Sequence, residues 1–233
     1  MKNLKEIFAK YNLNLSDKQC DEFEYFYKNQ LLEENKIQNL TTVTEEQDVI
    51  VKHFLDSVLP AEYFENTAKV VDVGSGAGFP AIPLKIYRPD LDITMVDSLQ
   101  KRVNFLNKCV DEQKWQNIHA EHARVEDFAK QNREKFDIAT ARAVASLNTL
   151  VEYLLPLIKI GGKAIIYKST KLDEELVEAK NAIKILGGEV ELVKDYHIDE
   201  ADCERKVLVI KKVSHTPPKY PRDKNKARLA PLK

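Results

Sequence analysis

The sequence predicts an α/β fold with a Rossmann-like, mostly parallel sheet, and three features support this prediction. An apolar run over residues 70–73 leads directly into Gly74, Gly76 and Gly78, three of the seven glycines in the chain. Short apolar runs then alternate with amphipathic segments, a pattern typical of parallel sheets covered by helices. The second of these runs ends at Asp97, a position where such folds bind ribose.

The glycine-rich turn marks the predicted ligand site. Glycine allows positive φ and lets a ligand approach the main chain without a Cβ in the way. At the end of a parallel strand, free N–H groups and the dipole of the next helix favour a nucleotide-like ligand. We therefore expect the rest of the domain to be arranged around this turn.

The remaining elements follow from hydrophobic periodicity. Strands are predicted over residues 69–73, 92–96, 118–121, 136–141 and 163–168, with a terminal antiparallel hairpin over 189–196 and 206–210. Helices are predicted over residues 82–87 and 99–110, from the fourth strand to about 155, and over 171–186. The pair Gly161-Gly162 is predicted to form a turn before the fifth strand.

An N-terminal helical extension is predicted over residues 1–66. Ser16 with Gln19, and Thr44 with Gln47, have the spacing of capping boxes and indicate two helix starts. The extension has too few apolar residues for a core of its own. We therefore expect it to pack on the following domain, residues 67–212, and to cap its site.

Charge is distributed unevenly along the chain. Residues 211–233 contain eight Lys or Arg and one Asp, a net charge of +7, so residues 1–210 carry −8 of the total of −1. A basic segment on an acidic body indicates phosphate binding, although a merely solubilising tail would have the same composition. We assign residues 213–233 as a basic tail and expect it to contact RNA while leaving the nucleotide-like ligand unaffected.

Composition also limits the cellular context. No apolar run approaches the ~18 residues of a membrane span, and the N-terminus alternates charged and apolar residues, so we expect a cytoplasmic protein with no membrane partner. The three cysteines are odd in number and widely spaced, which indicates neither a disulfide framework nor a metal site. A monomer is the favoured oligomeric state.

The spacing of the glycines favours one ligand over another. A dinucleotide fingerprint needs glycine at its first, third and sixth positions, and the sixth position here is Phe79. The pattern G-x-G-x-G suits a ligand without a pyrophosphate, and S-adenosylmethionine is the obvious candidate. Asp97 supports this choice, because a carboxylate at that strand end accepts hydrogen bonds from ribose hydroxyls.

Missing motifs narrow the chemistry. Methylation of an adenine amino group usually relies on an Asn/Asp-Pro-Pro-aromatic loop after the fourth strand, where this chain has T-A-R-A at residues 140–143. None of the cysteines is placed to act as the nucleophile that carbon-5 methylation of a pyrimidine needs. An acceptor that is already nucleophilic remains, and guanine N7 is such an atom. No general base and no catalytic side chain are then required, because catalysis consists of positioning.

A set of motifs along the chain resembles one known family. The motifs are N-L-T at 39–41, K-H-F-L-D-S at 52–57, D-V-G-S-G-A-G-F-P at 72–80, V-D-S at 96–98, K-R-V-x-F-L at 101–106, R-V-E at 124–126, A-R-A at 141–143 and Y-P-R at 220–222. Their order and spacing resemble the RsmG (GidB) family of bacterial small-subunit ribosomal RNA guanine-N7 methyltransferases. The resemblance extends from about residue 35 to the end.

The resemblance implies a class I methyltransferase sheet, S-adenosylmethionine as methyl donor, and one guanosine of small-subunit (16S) ribosomal RNA as acceptor. It further implies that cofactor contacts come from the glycine turn, the ribose-binding carboxylate, the adenine side and the mouth of the site, namely Gly74, Gly76, Phe79, Asp97, Val125, Glu126 and Arg142. Arg142 would lie near the transferred methyl group. RNA contacts are expected from Lys168, Lys219 and Arg222.

Two other functions are compatible with parts of the pattern. A nicotinamide-dependent oxidoreductase would share the glycine turn, but Phe79 disfavours it. A non-catalytic RNA-binding factor in ribosome assembly would keep the fold and use the basic tail without using the turn.

Overall fold

The computed structural model describes residues 1–232, and its centre is a seven-stranded sheet within that range. The strands are β1 Lys69–Val73, β2 Asp92–Asp97, β3 Ile118–His122, β4 Phe136–Arg142, β5 Ile158–Lys168, β6 Gly188–Ile198 and β7 Cys203–Lys212. Their order is β3-β2-β1-β4-β5-β7-β6. Strands β1 to β5 are parallel, and β7 is antiparallel to both β5 and β6. The predicted fold class is confirmed.

Helices connect the strands and form the N-terminal extension. They are α1 Leu4–Lys10, α2 Asp17–Tyr25, α3 Leu32–Gln38, α4 Glu46–Val49, α5 Asp56–Val58, α6 Ala81–Tyr87, α7 Gln100–Gln113, α8 Val125–Gln131, α9 Leu147–Leu154, α10 Leu172–Ile185 and α11 Lys226–Leu229. Two π-helical segments, Phe26–Leu31 and Ile50–Leu55, join α2 to α3 and α4 to α5. The sequence did not predict the short α8.

One of the two predicted capping boxes is present. Ser16 caps α2 by accepting from the N–H of Gln19, whose side chain returns to the Ser16 N–H. The second box, at Thr44, is wrong. Helix α4 begins at Glu46 after an extended Glu45 with no side-chain cap, so Gln47 is the second helical residue, one position short of the third that the box needs.

The predicted turn at Gly161-Gly162 is also wrong, because β5 runs through both glycines. Pairing between β4 and β5 shifts register between Phe136 and Ile138, which gives the strand an irregularity there. Gly161 has φ +89°, and a Cβ on Gly162 would lie 2.3 Å from the Asp137 carbonyl oxygen. The glycines therefore serve a β-bulge with a close backbone approach.

Two hydrophobic clusters cover the two faces of the sheet. One contains the apolar side chains of α1, α2, α6 and α7, with Phe8, Phe23, Phe26 and Phe54 fully buried. The other contains those of α8, α9 and α10. The N-terminal extension thus shares the first cluster with the strands, as its sparse apolar content predicted.

The basic tail lies against α9. Arg222 binds Glu152 through its Nε and Nη2 atoms, with a shortest distance of 2.7 Å, and the Glu152 side chain is fully buried. Thr149 Oγ1 donates to the Ala227 carbonyl at 3.0 Å. Through these contacts, residues 222–229 lie near the carboxyl edge of the parallel strands. No helix within residues 1–232 is long and apolar enough to cross a membrane.

Candidate active site

The glycine turn follows β1 at the carboxyl edge of the sheet, and its backbone needs glycine. Gly74, Gly76 and Gly78 have φ of +73°, +57° and +94°, values that side chains disfavour. A Cβ on Gly74 would lie 2.8 Å from Val144 Cγ2, whereas one on Gly76 would meet only the Gly74 carbonyl oxygen at 3.8 Å. The turn is therefore packed on one side and open on the other.

Asp97 connects the turn to the end of β2. Its Oδ2 accepts the Gly76 N–H at 3.0 Å, and its Oδ1 accepts the Leu99 N–H at 2.9 Å. Arg102 Nη1 lies 3.5 Å from Oδ2. A carboxylate has about four lone-pair sites, so Asp97 keeps capacity for further donors such as ribose hydroxyls. The side chain is 4% exposed, which makes its hydrogen bonds strong.

Two adjoining pockets meet at the turn. One, of about 280 Å³, contains the end of β2 and the start of α8. The other, of about 260 Å³, contains the turn itself and the N-L-T segment. Gly74, Arg102 and Ala143 line both. Together the pockets bring together all of the residues that the sequence assigned to the cofactor, namely Gly74, Gly76, Phe79, Asp97, Val125, Glu126 and Arg142.

Asp72 lies beneath the turn with an unpartnered carboxyl group. Its side chain is 1% exposed, and neither carboxylate oxygen has a hydrogen-bond partner among the described residues. Burial raises the pKa of Asp72 to about 7. An orphaned buried carboxylate fits a cationic ligand, and S-adenosylmethionine carries a sulfonium and an ammonium. With Asp97 for the ribose and a turn that glycine leaves open, the residues present fit this cofactor.

Arg142 ends β4 and lies between the pockets and a larger cavity. Its Nη1 atom binds Asp56 Oδ2 at 2.7 Å and the Lys52 carbonyl at 3.1 Å, and its guanidinium carbon lies 5.2 Å from the centre of the Phe79 ring. Asp56 also binds Arg205 Nε at 3.2 Å. Asp56 is therefore the carboxylate partner of both Arg142 and Arg205.

His53 completes this wall of the site. Its ring stacks on Phe79 with 4.4 Å between centroids, and Nε2 lies 2.9 Å from Thr41 Oγ1. Burial, with a further contribution from the charge of Arg142, lowers the pKa of His53 to about 4. The imidazole is therefore neutral at pH 7 and holds the N-L-T segment against the glycine turn.

The larger cavity has a volume of about 510 Å³ and lies beyond His53 and Arg142. Its wall includes five cations and two carboxylates: Lys52, Arg142, Lys168, Arg205 and Lys206, with Asp56 and Glu175. The side chains come from the N-terminal extension, the ends of β4 and β5, the start of β7 and, for Glu175, α10. Each of these cations also binds a carboxylate, and Lys52 and Lys206 bind Asp48 and Asp195 at 2.9 and 2.7 Å. Phosphates would take the place of those carboxylates, so five cations beside the two pockets suit a nucleotide.

The three predicted RNA contacts occupy different settings. Lys168 lines the large cavity, where its Nζ binds Glu175 at 2.6 Å and the Ala145 carbonyl at 3.0 Å. Lys219 is exposed and lies over the Tyr220 ring. Arg222 is bound to Glu152. RNA contact by these residues stays a prediction.

Sequence reasoning missed several residues of the site. His53 and Asp56 lie in the K-H-F-L-D-S motif but were assigned no chemistry, although both contact Arg142. Asp72 was also missed, although it is the first residue of the motif D-V-G-S-G-A-G-F-P and its position there could have indicated a role in the site. Asn225 and Arg228, in the tail, line the pocket that contains Asp97, and no local pattern in the sequence indicates this.

Comparison with known proteins agrees with this geometry. A SAM dependent methyltransferase from Aquifex aeolicus superposes with a TM-score of 0.53 at 16% identity, over 73% of this chain and 96% of that one. At this identity the likeness shows the fold alone, which is the Rossmann-like fold of class I methyltransferases.

Sequence comparison gives the family. Residues 19–207 match the GidB family, described as rRNA small subunit methyltransferase G. Ribosomal RNA small subunit methyltransferase G of Alkaliphilus oremlandii is 44% identical over 99% of this chain and 98% of its own length. The protein of the same name from Staphylococcus aureus strain JH9 is 45% identical over 98% and 97%. The chain belongs to this family, and the resemblance drawn from its motifs is confirmed.

Proposed function

We propose that the protein transfers a methyl group from S-adenosylmethionine to N7 of one guanosine in small-subunit (16S) ribosomal RNA. The observation that carries this proposal is the meeting of two pockets, lined by every predicted cofactor residue, with a cationic cavity beyond Arg142. Family membership supports the reaction, and the pockets supply a place for each reactant.

The cofactor would be held in two halves. Asp97 would accept ribose hydroxyls, with Val125 and Glu126 on the adenine side, while Gly74 and Gly76 leave room for the methionine half. Asp72 provides a buried carboxyl group beneath the turn, and a cationic cofactor would favour its charged form. When bound, S-adenosylmethionine supplies a methyl group on a positively charged sulfur, which is electrophilic without further activation.

The large cavity would receive the guanosine. Its volume of about 510 Å³ is within the range of small-ligand sites, and its cations would neutralise the phosphates on either side of the base. Arg142 and His53 form the boundary between this cavity and the methionine half. A guanine in the large cavity would have its N7 edge facing the cofactor, with Arg142 at the boundary between them.

Positioning would account for most of the catalysis. Guanine N7 carries a lone pair and no proton, so no side chain has to remove one. In agreement, the groups at the boundary are not general bases: Arg142 is bound to Asp56, and the lowered pKa of His53 leaves it a weak base. Holding the acceptor in line can itself contribute ~7 kcal/mol or more to lowering the barrier.

The RNA outside the site would contact exposed basic residues of the tail such as Lys219, and Lys168 would contact the part that enters the cavity. We infer a cytoplasmic location, because ribosomal subunits are assembled there, and a monomer as the active form. Arg222, bound to Glu152, would act by fixing the tail in place and would contact RNA only secondarily.

The proposal is tested in cells with and without the gene. Mapping of N7-methylguanosine in small-subunit RNA by mass spectrometry should show one modification that disappears on deletion and returns with the wild-type gene. Complementation with Asp97→Ala should fail at equal protein level. Persistence of the modification in the deletion strain would contradict the proposal. Restoration by Asp97→Ala would favour the alternative of a non-catalytic assembly factor.

A further inference from the structure

The end of the basic tail forms a wall of the cofactor pocket. The pocket of about 280 Å³ is bounded on one side by Asp97 and Glu126 and on another by Asn225 and Arg228. From the sequence, the tail was expected to serve RNA and leave the cofactor unaffected. The structure places two of its side chains beside the predicted ribose and adenine contacts.

Each of these side chains is tied to a different wall. Arg228 Nη2 donates to the Val144 carbonyl at 3.1 Å. Val144 lies in the loop after β4, and its side chain packs on Gly74. Asn225 Oδ1 accepts from Arg124 Nη1 at 3.4 Å, at the start of α8. The tail therefore bridges the glycine turn and the adenine side.

The bridge is anchored outside the pocket. Arg222 binds the fully buried Glu152, Asp223 lies 2.5 Å from Lys130 Nζ, and Ala227 is fully buried beneath the Thr149 hydroxyl. These contacts with α8 and α9 fix residues 222–229, here called the C-terminal clasp, independently of any contact with a ligand. A preformed wall costs little conformational entropy on binding.

We infer that the C-terminal clasp holds the adenosine half of the cofactor, with Asn225 and Arg228 as binding residues. This inference rests on the proposed function. Asn225 carries both a donor and an acceptor, which suit the donor and acceptor on the edge of adenine. Arg228 carries a planar guanidinium that stacks on aromatic rings. Binding of RNA phosphates alone would use neither the acceptor of Asn225 nor stacking by Arg228.

The chain offers a matched control. Lys226 lies between the two residues, is exposed and carries the same charge as Arg228, but it is not among the residues that line the pocket. Asn225 has φ 58°, so Asn225→Gly removes the side chain and keeps the backbone conformation. Arg228→Ala and Lys226→Ala remove one positive charge each from neighbouring positions.

Isothermal titration of the full-length protein with S-adenosylmethionine and with adenosine tests the inference without RNA. Arg228→Ala and Asn225→Gly should each weaken both ligands by about tenfold, the effect of one lost hydrogen bond or stacking contact. Lys226→Ala should stay within about twofold of wild type. The fold loss should be equal for the two ligands, because both occupy the half that the clasp covers.

Other outcomes separate the possible failures. Absence of S-adenosylmethionine binding by the wild-type protein would overturn the proposed function, and the clasp with it. Wild-type binding with unchanged affinity in Arg228→Ala and Asn225→Gly would overturn the clasp alone. A variant that loses affinity for S-adenosylmethionine but not for adenosine would act through Val144 and the glycine turn. That result would likewise contradict direct contact between the clasp and the adenosine half.

Discussion

Asp97 accepts a hydrogen bond from the main-chain N–H of Gly76, with 3.0 Å between Oδ2 and the nitrogen. This bond joins the end of β2 to the glycine turn, so one carboxylate both shapes the turn and faces the pocket. Its second oxygen holds the start of the next helix through the Leu99 N–H. A single side chain thus connects the glycine turn to the segment that follows β2.

Replacement of this carboxylate should affect both halves. Asp97→Ala removes the ribose acceptor and the anchor of the Gly76 N–H, so S-adenosylmethionine should bind about a hundredfold more weakly, a loss of about 3 kcal/mol. Isothermal titration measures the change. Glu121→Ala is the control, because Glu121 lies beside Val96 on the neighbouring strand but binds His119 at the surface. A loss below threefold in Asp97→Ala would show that the carboxylate has no cofactor role.

The glycine turn should tolerate no Cβ at its first position. Gly74→Ala combines positive φ with a contact of 2.8 Å to Val144 Cγ2, whereas Gly161→Ala has a φ of +89° and no atom within 4 Å. Both variants should lose about 1 kcal/mol or more of unfolding free energy from backbone strain. Only Gly74→Ala should lose cofactor affinity. Urea unfolding and titration of both variants separate the two effects, and equal affinity losses would refute the placement of the turn.

Arg142 should matter more for transfer than for cofactor binding. Arg142→Ala leaves Asp56 with Arg205 as its partner, so the stability cost should be about 2 kcal/mol, below that of a fully orphaned buried charge. Single-turnover methylation of RNA should slow at least tenfold with a smaller change in S-adenosylmethionine affinity. The double variant Arg142→Ala, Asp56→Ala should regain part of the stability but none of the rate. Recovery of the rate would assign Arg142 a purely structural role.

His53 should make stability depend on pH. Its pKa of about 4 in the folded protein lies below the ordinary value of 6.5, so the unfolded chain binds the extra proton first. The stabilisation is therefore fully present above pH 6.5 and is lost as pH falls from there toward 4. Between pH 7 and about 4.5 the loss should be about 2 kcal/mol.

His53→Gln provides the comparison, because glutamine does not titrate. The carboxylates contribute equally to the pH dependence of the unfolding free energy in both proteins. Urea unfolding at the two pH values should show a smaller decrease for the variant. An equal decrease in both proteins would mean that His53 is protonated in the folded state, contrary to its burial beside Arg142.

The local features of the site were predictable from the sequence. Gly74 and Gly76 lie in the turn after β1, and Asp97 ends β2. Such positions follow from short-range patterns. The failures were of two kinds. The Thr44 box failed by one residue of helix register, and the Gly161-Gly162 pair was assigned to a turn although it forms a bulge inside a long strand.

Long-range contacts could not be predicted in the same way. Asp56 meets Arg142 across 86 positions of the chain, and Arg228 reaches Val144 across 84. Neither contact has a local signature, because the chain order of two residues does not determine their distance after folding. The same reason explains why the tail, read as a basic tail, was not expected to line the cofactor pocket.

The central claim is tested most directly with purified components. Small-subunit ribosomal particles and naked 16S RNA from a strain lacking the gene are incubated with the protein and methyl-labelled S-adenosylmethionine, and the labelled nucleoside is mapped by mass spectrometry. We predict one N7-methylguanosine at a single position in at least one of the two substrates, with none formed by Asp97→Ala. Label on another atom or another base, or no label in either substrate despite bound cofactor, would contradict the assignment.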